Sequence, residues 1–267
     1  MTSALPFEAL APLREDPKSC AVLLDIDGTL SPIVENASDA RVPEVTRQVL
    51  IAVARRYSLV ACISGRRAAD ARAMVSIGSI TYIGSHGAEL LKAGWTESVL
   101  DPAVREWADR VTDFRRQSDT PELRRSRVRI EDKGPIVAFH WRGAPDEEAA
   151  RAAVDALAAQ AEAAGLEVHW GRKVMEARPP VRIDKGAGVA NLLGDAQVRS
   201  ALFVGDDVTD LDAFAALRVL QEQGALERSV CVGVSSPDGP AEIVSQADLV
   251  VDGTDGVREL LTALAAN

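Results

Sequence analysis

The chain has 267 residues, of which 47% are hydrophobic, and this is enough apolar material to build one large or two modest folded domains. Disordered and fibrous classes of protein are therefore excluded. The formal net charge of -10 opposes binding to nucleic acid or to an anionic membrane surface, so we expect neither as a partner.

The N-terminal segment and the cysteines favour a reducing compartment. Residues 1–18 carry acids and prolines where a signal peptide would have a basic start and an apolar core. No stretch approaches the ~20 apolar residues of a membrane helix. Cys20, Cys62 and Cys231 are odd in number and unclustered, which excludes a disulfide framework and zinc-ligand spacing. We therefore expect a cytoplasmic protein with buried, reduced thiols.

The first hundred residues alternate apolar strands with helices. Continuous apolar runs at 21–24, 58–63 and 80–83 predict strands, and the residues over 43–57 and 68–75 predict helices between them. This β-α-β-α-β order predicts a parallel sheet with right-handed crossovers and covering helices.

The pattern changes near Gly94, and a different kind of domain follows. Strict alternation of apolar and polar residues indicates antiparallel strands with one packed face and one open face. We predict a helical, charge-rich region over 101–125, strands over 127–133, 135–142, 166–170 and 174–178, and a long alanine-rich helix over 146–164. Pro179 and Pro180 mark its end. The α/β pattern then resumes, so we divide the chain into a core at 1–100 and 181–267 and an inserted α+β domain at 101–180.

Two aspartates directly follow the first strand. Asp25 and Asp27 stand in the run DIDGT, in which Gly28 and Thr29 supply a tight turn. A strand buried on both faces carries such residues to the carboxyl edge of a parallel sheet, where open α/β folds place their ligands. The pair could simply cap a turn, or one carboxylate could attack phosphorus while the other handles the proton. This stretch alone leaves both interpretations open.

Three later segments favour the chemical interpretation. They are ISGR, with Ser64 and Arg66; DKG, with Lys185 at a helix start; and GDDVTD, with Asp206, Asp207 and Asp210. Together with DIDGT they resemble the haloacid dehalogenase superfamily of phosphotransferases. The resemblance implies a Rossmann-like α/β core, with a parallel sheet and helices on both faces, and an inserted α+β cap of the C2 type.

The resemblance also implies roles for these residues. Asp25 would be the nucleophile that forms an aspartyl-phosphate, and Asp27 would protonate the leaving oxygen and then activate water. Ser64 and Lys185 would bind the phosphate, although a lysine by itself is usually a surface residue. A Mg²⁺ ion would be bound by the Asp25 carboxylate, the Asp27 backbone carbonyl and Asp206.

The remaining residues of these segments have supporting roles by the same resemblance. Asp207 and Asp210 would orient Lys185, waters or Asp206, while Asp210 could also serve as an acid at a helix N-terminus. Arg66, His86 and Gly87 would contact substrate at the sheet edge. His86 could equally be a plain turn residue.

The inserted domain carries a second resemblance. The segment GSHGAEL, the pattern of Glu131, Lys133, His140 and Arg142, and the run containing Glu176, Arg178 and Pro179 resemble trehalose-6-phosphate phosphatases. The match extends from about Ala21 to Val251. It implies a cap whose polar face closes over the phosphate site, with Glu131, Lys133, His140, Arg142, Glu176 and Arg178 binding the sugar. The other interpretation of this face is plain exposure to solvent.

The function implied is the Mg²⁺-dependent hydrolysis of trehalose 6-phosphate to trehalose and phosphate, the last step of trehalose synthesis. Alternatives are another capped sugar phosphatase or a phosphomannomutase-like enzyme, which would return the phosphoryl group to a second hydroxyl. A non-catalytic phosphate-binding module is a third, but pure binding has no need of the proton-handling Asp27. A small sugar phosphate is thus the expected partner. The sequence leaves the oligomeric state open, with a monomer as the default.

Overall fold

The computed structural model describes residues 7–34, 39–237 and 239–266. The strands are β1 (Cys20–Leu24), β2 (Leu59–Ile63), β3 (Thr81–Gly84), β4 (Glu89–Leu91), β5 (Val99–Leu100), β6 (Arg129–Asp132), β7 (Val137–His140), β8 (Glu167–Gly171), β9 (Val174–Arg178), β10 (Ser200–Gly205), β11 (Arg228–Ser235) and β12 (Leu249–Asp252). The α-helices are α1 (Ala11–Glu15), α2 (Glu44–Arg56), α3 (Ala68–Val75), α4 (Pro102–Arg105), α5 (Ala108–Ser118), α6 (Pro121–Arg125), α7 (Glu147–Ala163), α8 (Lys185–Gly194), α9 (Asp210–Glu222), α10 (Ala241–Gln246) and α11 (Gly253–Ala265).

These elements form two compact units. The first unit combines the residues up to Val99 with those from Ile183 onward, and the second unit is Leu100–Arg182. Among the residues described, no helix combines the length and the apolar character that crossing a membrane requires. Cys20, Cys62 and Cys231 are buried, free thiols, as expected.

The first unit is built on an eight-stranded sheet with the order β12-β11-β10-β1-β2-β3-β4-β5. Strands β12 through β3 pair in parallel, and β1 lies between β10 and β2. Residues of β1 alternate between two apolar cores: Val22 and Leu24 pack with α2 and α11, whereas Ala21 and Leu23 pack with α8 and α9. Helices therefore cover both faces of the sheet, and the expected α/β fold is confirmed.

One edge of this sheet differs from the expectation of a purely parallel arrangement. Strand β4 pairs antiparallel with β3, and neither β4 nor β5 was predicted from the sequence. Only residues 85–88 separate β3 from β4. So short a link permits a reversal of direction, whereas a parallel pair needs a crossover of a dozen or more residues.

The second unit is an antiparallel sheet with helices on one face, in the strand order β6-β7-β9-β8. The alternation predicted the packed face correctly, because Val137, Phe139, Met175 and Ala177 are buried in one apolar core with residues of α5 and α7. The charge-rich region predicted as helical is three short helices, α4 to α6. One of the breaks lies where the Thr120 hydroxyl accepts a hydrogen bond from Leu123 N–H and so starts α6.

Candidate active site

The strand order brings two predicted aspartates together. Asp25 follows β1 and Asp206 follows β10, and these strands are hydrogen-bonded neighbours in the sheet. The turn that follows Asp25 is tight. Gly28 has a φ of +90°, and a side chain at this position would overlap the Asp206 carboxylate. The Thr29 hydroxyl donates a hydrogen bond to Asp206 Oδ1 at 3.0 Å. The DIDGT turn therefore packs directly against the GDDVTD turn.

Lys185 lies at the centre of this group. Its ammonium donates hydrogen bonds of 2.6 Å to Asp25 Oδ1 and of 2.6 Å to Asp210 Oδ1, and the residue is only 3% exposed. Its position is set by the start of α8, where the Asp184 carboxylate accepts a bond from Ala187 N–H at 2.7 Å. A lysine so deeply buried needs paired carboxylates to remain charged.

Asp210 joins this lysine to the GDDVTD backbone. Its second oxygen, Oδ2, accepts hydrogen bonds from the N–H groups of Asp206 at 2.9 Å and Asp207 at 3.0 Å. Asp210 is also the first residue of α9, where a negative charge is favoured by the helix dipole. The contacts thus fit both interpretations of this residue, as a partner of Lys185 and as a helix N-terminal acid.

The electrostatics of the group leave an excess of buried negative charge. Burial raises the pKa of Asp25 well above its usual range, although Lys185 acts in the opposite direction. Burial and the Asp210 carboxylate raise the pKa of Asp206 to about 6. For Lys185, burial favours the neutral amine, but Asp25 and Asp210 outweigh it and raise the pKa. One ammonium group therefore lies among three carboxyl groups, and it is hydrogen-bonded to two of them.

This carboxylate cluster fits a divalent metal site. Asp25, Asp206 and Asp210 each offer an oxygen, and these atoms lie within 4.8 Å of one another. Both oxygens of Asp210 already accept hydrogen bonds from Lys185 or from the backbone, which leaves Asp25 and Asp206 as the better ligands. A cation there would relieve the repulsion that raises the pKa of Asp206.

Asp27 stands in a more open position and is bound by Arg66. The guanidinium Nε lies 2.7 Å from Asp27 Oδ2, and Nη2 lies 2.6 Å from Oδ1, so the pair is held at two points. The Asp27 side chain is 38% exposed. Arg66 was expected to contact substrate, and that role stays a prediction. Its pairing with Asp27 was not predicted, because no pattern in the sequence indicates it.

Ser64 and His86 lie on two loops that are bonded to each other. His86 N–H donates to the Ser64 carbonyl at 3.1 Å, and Ser85 N–H donates to the Arg66 carbonyl at 2.7 Å. The Ser64 hydroxyl accepts a bond from Arg66 N–H at 3.1 Å. Gly87, the third predicted residue of this region, packs against the Asp184 carbonyl at the start of α8. These loops therefore connect the ISGR segment with the lysine segment.

Glu89 was not among the predicted site residues, although it is bonded to the loops that carry Ser64 and His86. Its carboxylate is buried and accepts hydrogen bonds from Ala68 N–H and from the Ser85 hydroxyl. The signal that could have found it is an acid within the apolar segment GAELL, because an acid there needs a specific partner.

In the second unit, five of the six predicted sugar-binding residues pair with one another on the polar face of the sheet. Lys133 Nζ donates to Glu176 Oε1 at 2.8 Å, and Arg178 Nε donates to Glu176 Oε2 at 3.0 Å. Glu176 is 9% exposed; burial favours its neutral form, but Lys133 and Arg178 outweigh this and lower its pKa to about 2. His140 Nε2 lies 2.7 Å from Glu131 Oε2, and this hydrogen bond lowers the pKa of Glu131.

The sixth residue, Arg142, makes a different contact. Its guanidinium donates to the Arg172 carbonyl at 3.3 Å, in the turn between β8 and β9. The polar face is thus a half-buried network of paired charges, and pairing of this kind is compatible both with a sugar site and with a purely structural role.

Known proteins are similar to this chain over most of its length. Residues 23–249 match the family model described as trehalose-phosphatase. An uncharacterised glycosyl hydrolase of Mycobacterium tuberculosis is 36% identical over 215 residues, which is 74% of this chain and 15% of that protein. The trehalose-phosphate phosphatase of Mycobacterium avium is 35% identical over 219 residues, which is 76% of this chain and 53% of that protein.

The fold is also similar to a solved structure, the C-terminal domain of a Candida albicans trehalose-6-phosphate phosphatase. The TM-score is 0.72 with 23% identity, and the match covers 99% of both chains. At 23% identity this similarity is evidence for a shared fold only.

Proposed function

This chain belongs to the trehalose-phosphatase family, and we propose that it hydrolyses trehalose 6-phosphate to trehalose and inorganic phosphate. The resemblance to trehalose-6-phosphate phosphatases is thereby confirmed at the level of the family. The chain spans between 15% and about half of the length of the two relatives compared above, so activity and substrate are argued from the residues of the site.

The observation that carries the proposal is the buried contact of Lys185 with Asp25 beside Asp206. In a site that only binds phosphate, positive side chains would strengthen binding, whereas three carboxylates would repel the ligand. Carboxylates are needed if one of them attacks the phosphorus and others bind a divalent cation. The cluster therefore supports phosphoryl transfer better than binding alone.

In the proposed mechanism Asp25 attacks the phosphorus of the monoester and forms an aspartyl-phosphate, which water then hydrolyses. The attack needs the ionised carboxylate. Burial opposes ionisation of Asp25, whereas Lys185 favours it, so the lysine contributes to making the nucleophile available. Ser64 and Lys185 would bind the non-bridging oxygens, on which charge accumulates in the transition state.

Asp27 is proposed to donate a proton to the departing sugar oxygen and then to accept one from water. In the structure, the Arg66 guanidinium occupies both carboxylate oxygens of Asp27. The pair of Asp27 with Arg66 therefore has to loosen before Asp27 can carry the proton. Arg66 would then be available to the phosphate, in keeping with its predicted contact with substrate.

We propose Mg²⁺ as the metal, because the donor set is made entirely of oxygen and Mg²⁺ binds through one or two carboxylates plus substrate phosphate. The residues that would hold it are Asp25, the Asp27 carbonyl and Asp206. When bound, it would neutralise charge on the transferring phosphoryl group. All these residues belong to one chain, so we propose that a monomer is active.

Sugar recognition is assigned to the polar face of the second unit. The proposed contacts are Glu131, Lys133, His140, Arg142, Glu176 and Arg178. Their mixed donors and acceptors suit the hydroxyl groups of a disaccharide, and a charged partner strengthens each hydrogen bond. Selectivity among sugar phosphates would then depend on this face, while the chemistry would depend on the first unit.

The decisive experiment measures phosphate release from trehalose 6-phosphate, glucose 6-phosphate, mannose 6-phosphate and p-nitrophenyl phosphate, with and without Mg²⁺. We expect the highest kcat/KM for trehalose 6-phosphate and no turnover without a divalent metal. A wide preference for glucose or mannose phosphates would remove the trehalose assignment but leave the phosphatase. Interconversion of mannose 1- and 6-phosphates would instead support the mutase alternative.

A further inference from the structure

Glu89, the first residue of β4, is a carboxylate that the proposed mechanism does not use. It is 2% exposed, and a charge so deeply buried requires partners. Its Oε2 accepts a hydrogen bond from Ala68 N–H at 3.0 Å, and its Oε1 accepts one from the Ser85 hydroxyl at 3.1 Å. Arg67 Nε lies 3.6 Å from Oε1. One side chain thus joins the loop after β2 to the loop after β3.

The bond to Ala68 replaces a missing helix cap. Ala68 is the first residue of α3, and N–H groups in the first turn of a helix have no partner within the helix. The N-cap residue, Arg67, makes no capping hydrogen bond with its own side chain. Glu89 supplies the acceptor from another strand, so the position of the helix start depends on this carboxylate.

The segment just before this helix start carries Ser64, the predicted phosphate ligand. Glu89 holds the end of that segment through its bond to Ala68. Ser64 and Arg66 lie four and two residues before Ala68, and their carbonyls accept bonds from His86 and Ser85, respectively. A shift of either loop would therefore move the Ser64 hydroxyl and the Arg66 guanidinium that binds Asp27.

These loops have little freedom to rearrange. Ser85 and His86 both have positive φ, 51 and 58, which is strained for residues with side chains. Gly84 approaches the α3 backbone so closely that a side chain there would overlap Ala68 N. A strained conformation persists only where its surroundings hold it, and the Glu89 carboxylate supplies one bond to the strained Ser85 and one to Ala68 at the start of α3.

We propose that Glu89 is a positioning residue for phosphate binding, which holds Ser64 and Arg66 in place through Ala68 and Ser85. The proposal rests on the proposed function, because it assigns Ser64 and Arg66 to the phosphate. Its consequence is general: loss of Glu89 weakens binding of the group that every phosphomonoester shares. The sugar part of the substrate has no influence on the size of that effect.

The test measures the inhibition constant of inorganic phosphate during hydrolysis of p-nitrophenyl phosphate, well below the melting temperature of every variant. Glu89→Ala should raise that constant about tenfold or more, in line with the loss of a hydrogen bond to a charged group. Glu89→Gln should retain most of the affinity, because its amide oxygen can accept from Ala68 N–H while its NH₂ donates to Ser85 Oγ. Ser85→Ala should have a smaller effect in the same direction.

The matched control is Tyr82→Phe. Tyr82 lies on β3, the strand that pairs with β4, and donates a buried hydrogen bond to the Ile77 carbonyl at 2.7 Å, so this variant loses a buried bond close to Glu89 in the same sheet. We expect it to melt at a lower temperature with an unchanged phosphate constant. If Glu89→Ala behaved in the same way, Glu89 would stabilise the fold only, and the proposal would be overturned.

Two further outcomes keep the test decisive. Should Glu89→Ala fail to fold, Ser85→Ala decides: a raised constant supports the proposal, and an unchanged one overturns it. Should the wild type release phosphate from no substrate, the proposed function fails on its own. Calorimetric binding of inorganic phosphate in the presence of Mg²⁺, compared between wild type and Ser85→Ala, would then still test the positioning role.

Discussion

The ammonium group of Lys185 lies 2.6 Å from Asp25 Oδ1, and both side chains are almost completely buried. The contact places a permanent positive charge beside the proposed nucleophile, where it offsets the burial that would otherwise keep Asp25 protonated. Lys185 retains a second carboxylate partner in Asp210. This arrangement makes it possible to remove the Asp25 charge without leaving the lysine unpaired.

We therefore expect Asp25→Asn to abolish turnover without unfolding the protein. The amide has no anionic oxygen to attack phosphorus, but it keeps the size of the side chain and an oxygen that can accept the Lys185 bond. Phosphate release and thermal melting measured on the same preparation test both parts. Substantial residual activity would exclude Asp25 as the nucleophile, and a collapse in melting temperature would show that its charge is needed for folding.

Asp27→Asn should lower turnover of sugar phosphates by roughly 10²- to 10⁴-fold, as is typical when a general acid–base group is lost. An ester with an acidic alcohol needs less protonation of its leaving group, so hydrolysis of p-nitrophenyl phosphate should fall less. Steady-state kinetics with the two kinds of ester make the comparison. Equal losses for both would contradict a role in protonating the leaving oxygen.

Removal of the metal should abolish phosphate release by the wild type. Asp206→Ala should raise the Mg²⁺ concentration that is needed for the half-maximal rate. The reason is that Asp206 is one of the two buried carboxylates with an oxygen best placed for a cation. The assay titrates Mg²⁺ after treatment with EDTA. Asp195→Ala is the control. Its side chain is exposed, lies outside the carboxylate cluster, and has Oδ2 at 3.8 Å from Lys92 Nζ. An enzyme indifferent to chelation would refute the metal site.

Lys133→Ala should reduce kcat/KM for trehalose 6-phosphate while it spares p-nitrophenyl phosphate. Loss of a hydrogen bond to a charged group costs roughly 1.5–3 kcal/mol, or about ten- to a hundred-and-fifty-fold. Arg125→Ala removes an exposed ion pair with Glu122 from the same unit and should change neither substrate. Equal losses on both substrates would indicate damage to the fold, and no loss on either would indicate a structural polar face.

Glu176 should make stability depend on pH. Burial raises its pKa, but the Lys133 and Arg178 charges lower it from 4.5 to about 2, so the folded protein binds this proton more weakly than the unfolded chain. The contribution, roughly 3 kcal/mol, is fully present above about pH 5 and is lost as the pH falls towards 2.

Melting curves of wild type and Glu176→Gln across this range test the expectation. The variant should melt lower by on the order of 5–10 °C at neutral pH. The difference should shrink below about pH 5, because Glu176 is then protonated first in the unfolded chain and, near pH 2, also in the folded wild type. A difference that stays constant with pH would show that the ion pairs contribute nothing through the charge of Glu176.

Periodicity was sufficient to predict the central strands and helices of the first unit, because continuous apolar runs such as the one before Asp25 specify strands buried on both faces. It also predicted which residues of β7 and β9 face the helices. Strands β4 and β5 escaped prediction because three and two residues are too few to show a period. Their pairing is determined by the turn before β4 and by the free edge of β3.

Side-chain partners were harder to predict than elements. The motifs placed Asp25 and Asp206 at strand ends and Lys185 at a helix start. The structure brings Lys185 into hydrogen-bond contact with Asp25, and Asp206 lies in the same carboxylate cluster. The bonds of Arg66 to Asp27 and of Glu89 to Ala68 were not predictable, because each depends on how two separate loops pack. An arginine and an acid in a sequence have many possible partners, and only the tertiary fold selects one.

The position of β1 in the sheet has a consequence for how the protein is made. Its partner on one side, β2, follows soon after in the chain, but Ser200, which lies beside Cys20 on the other side, leaves the ribosome only after about 180 further residues. At ordinary synthesis rates this delay is on the order of ten to forty seconds. Throughout that time β1, whose five residues are all apolar and buried in the folded protein, presents an unpaired edge, the kind of surface on which chains aggregate and to which chaperones bind.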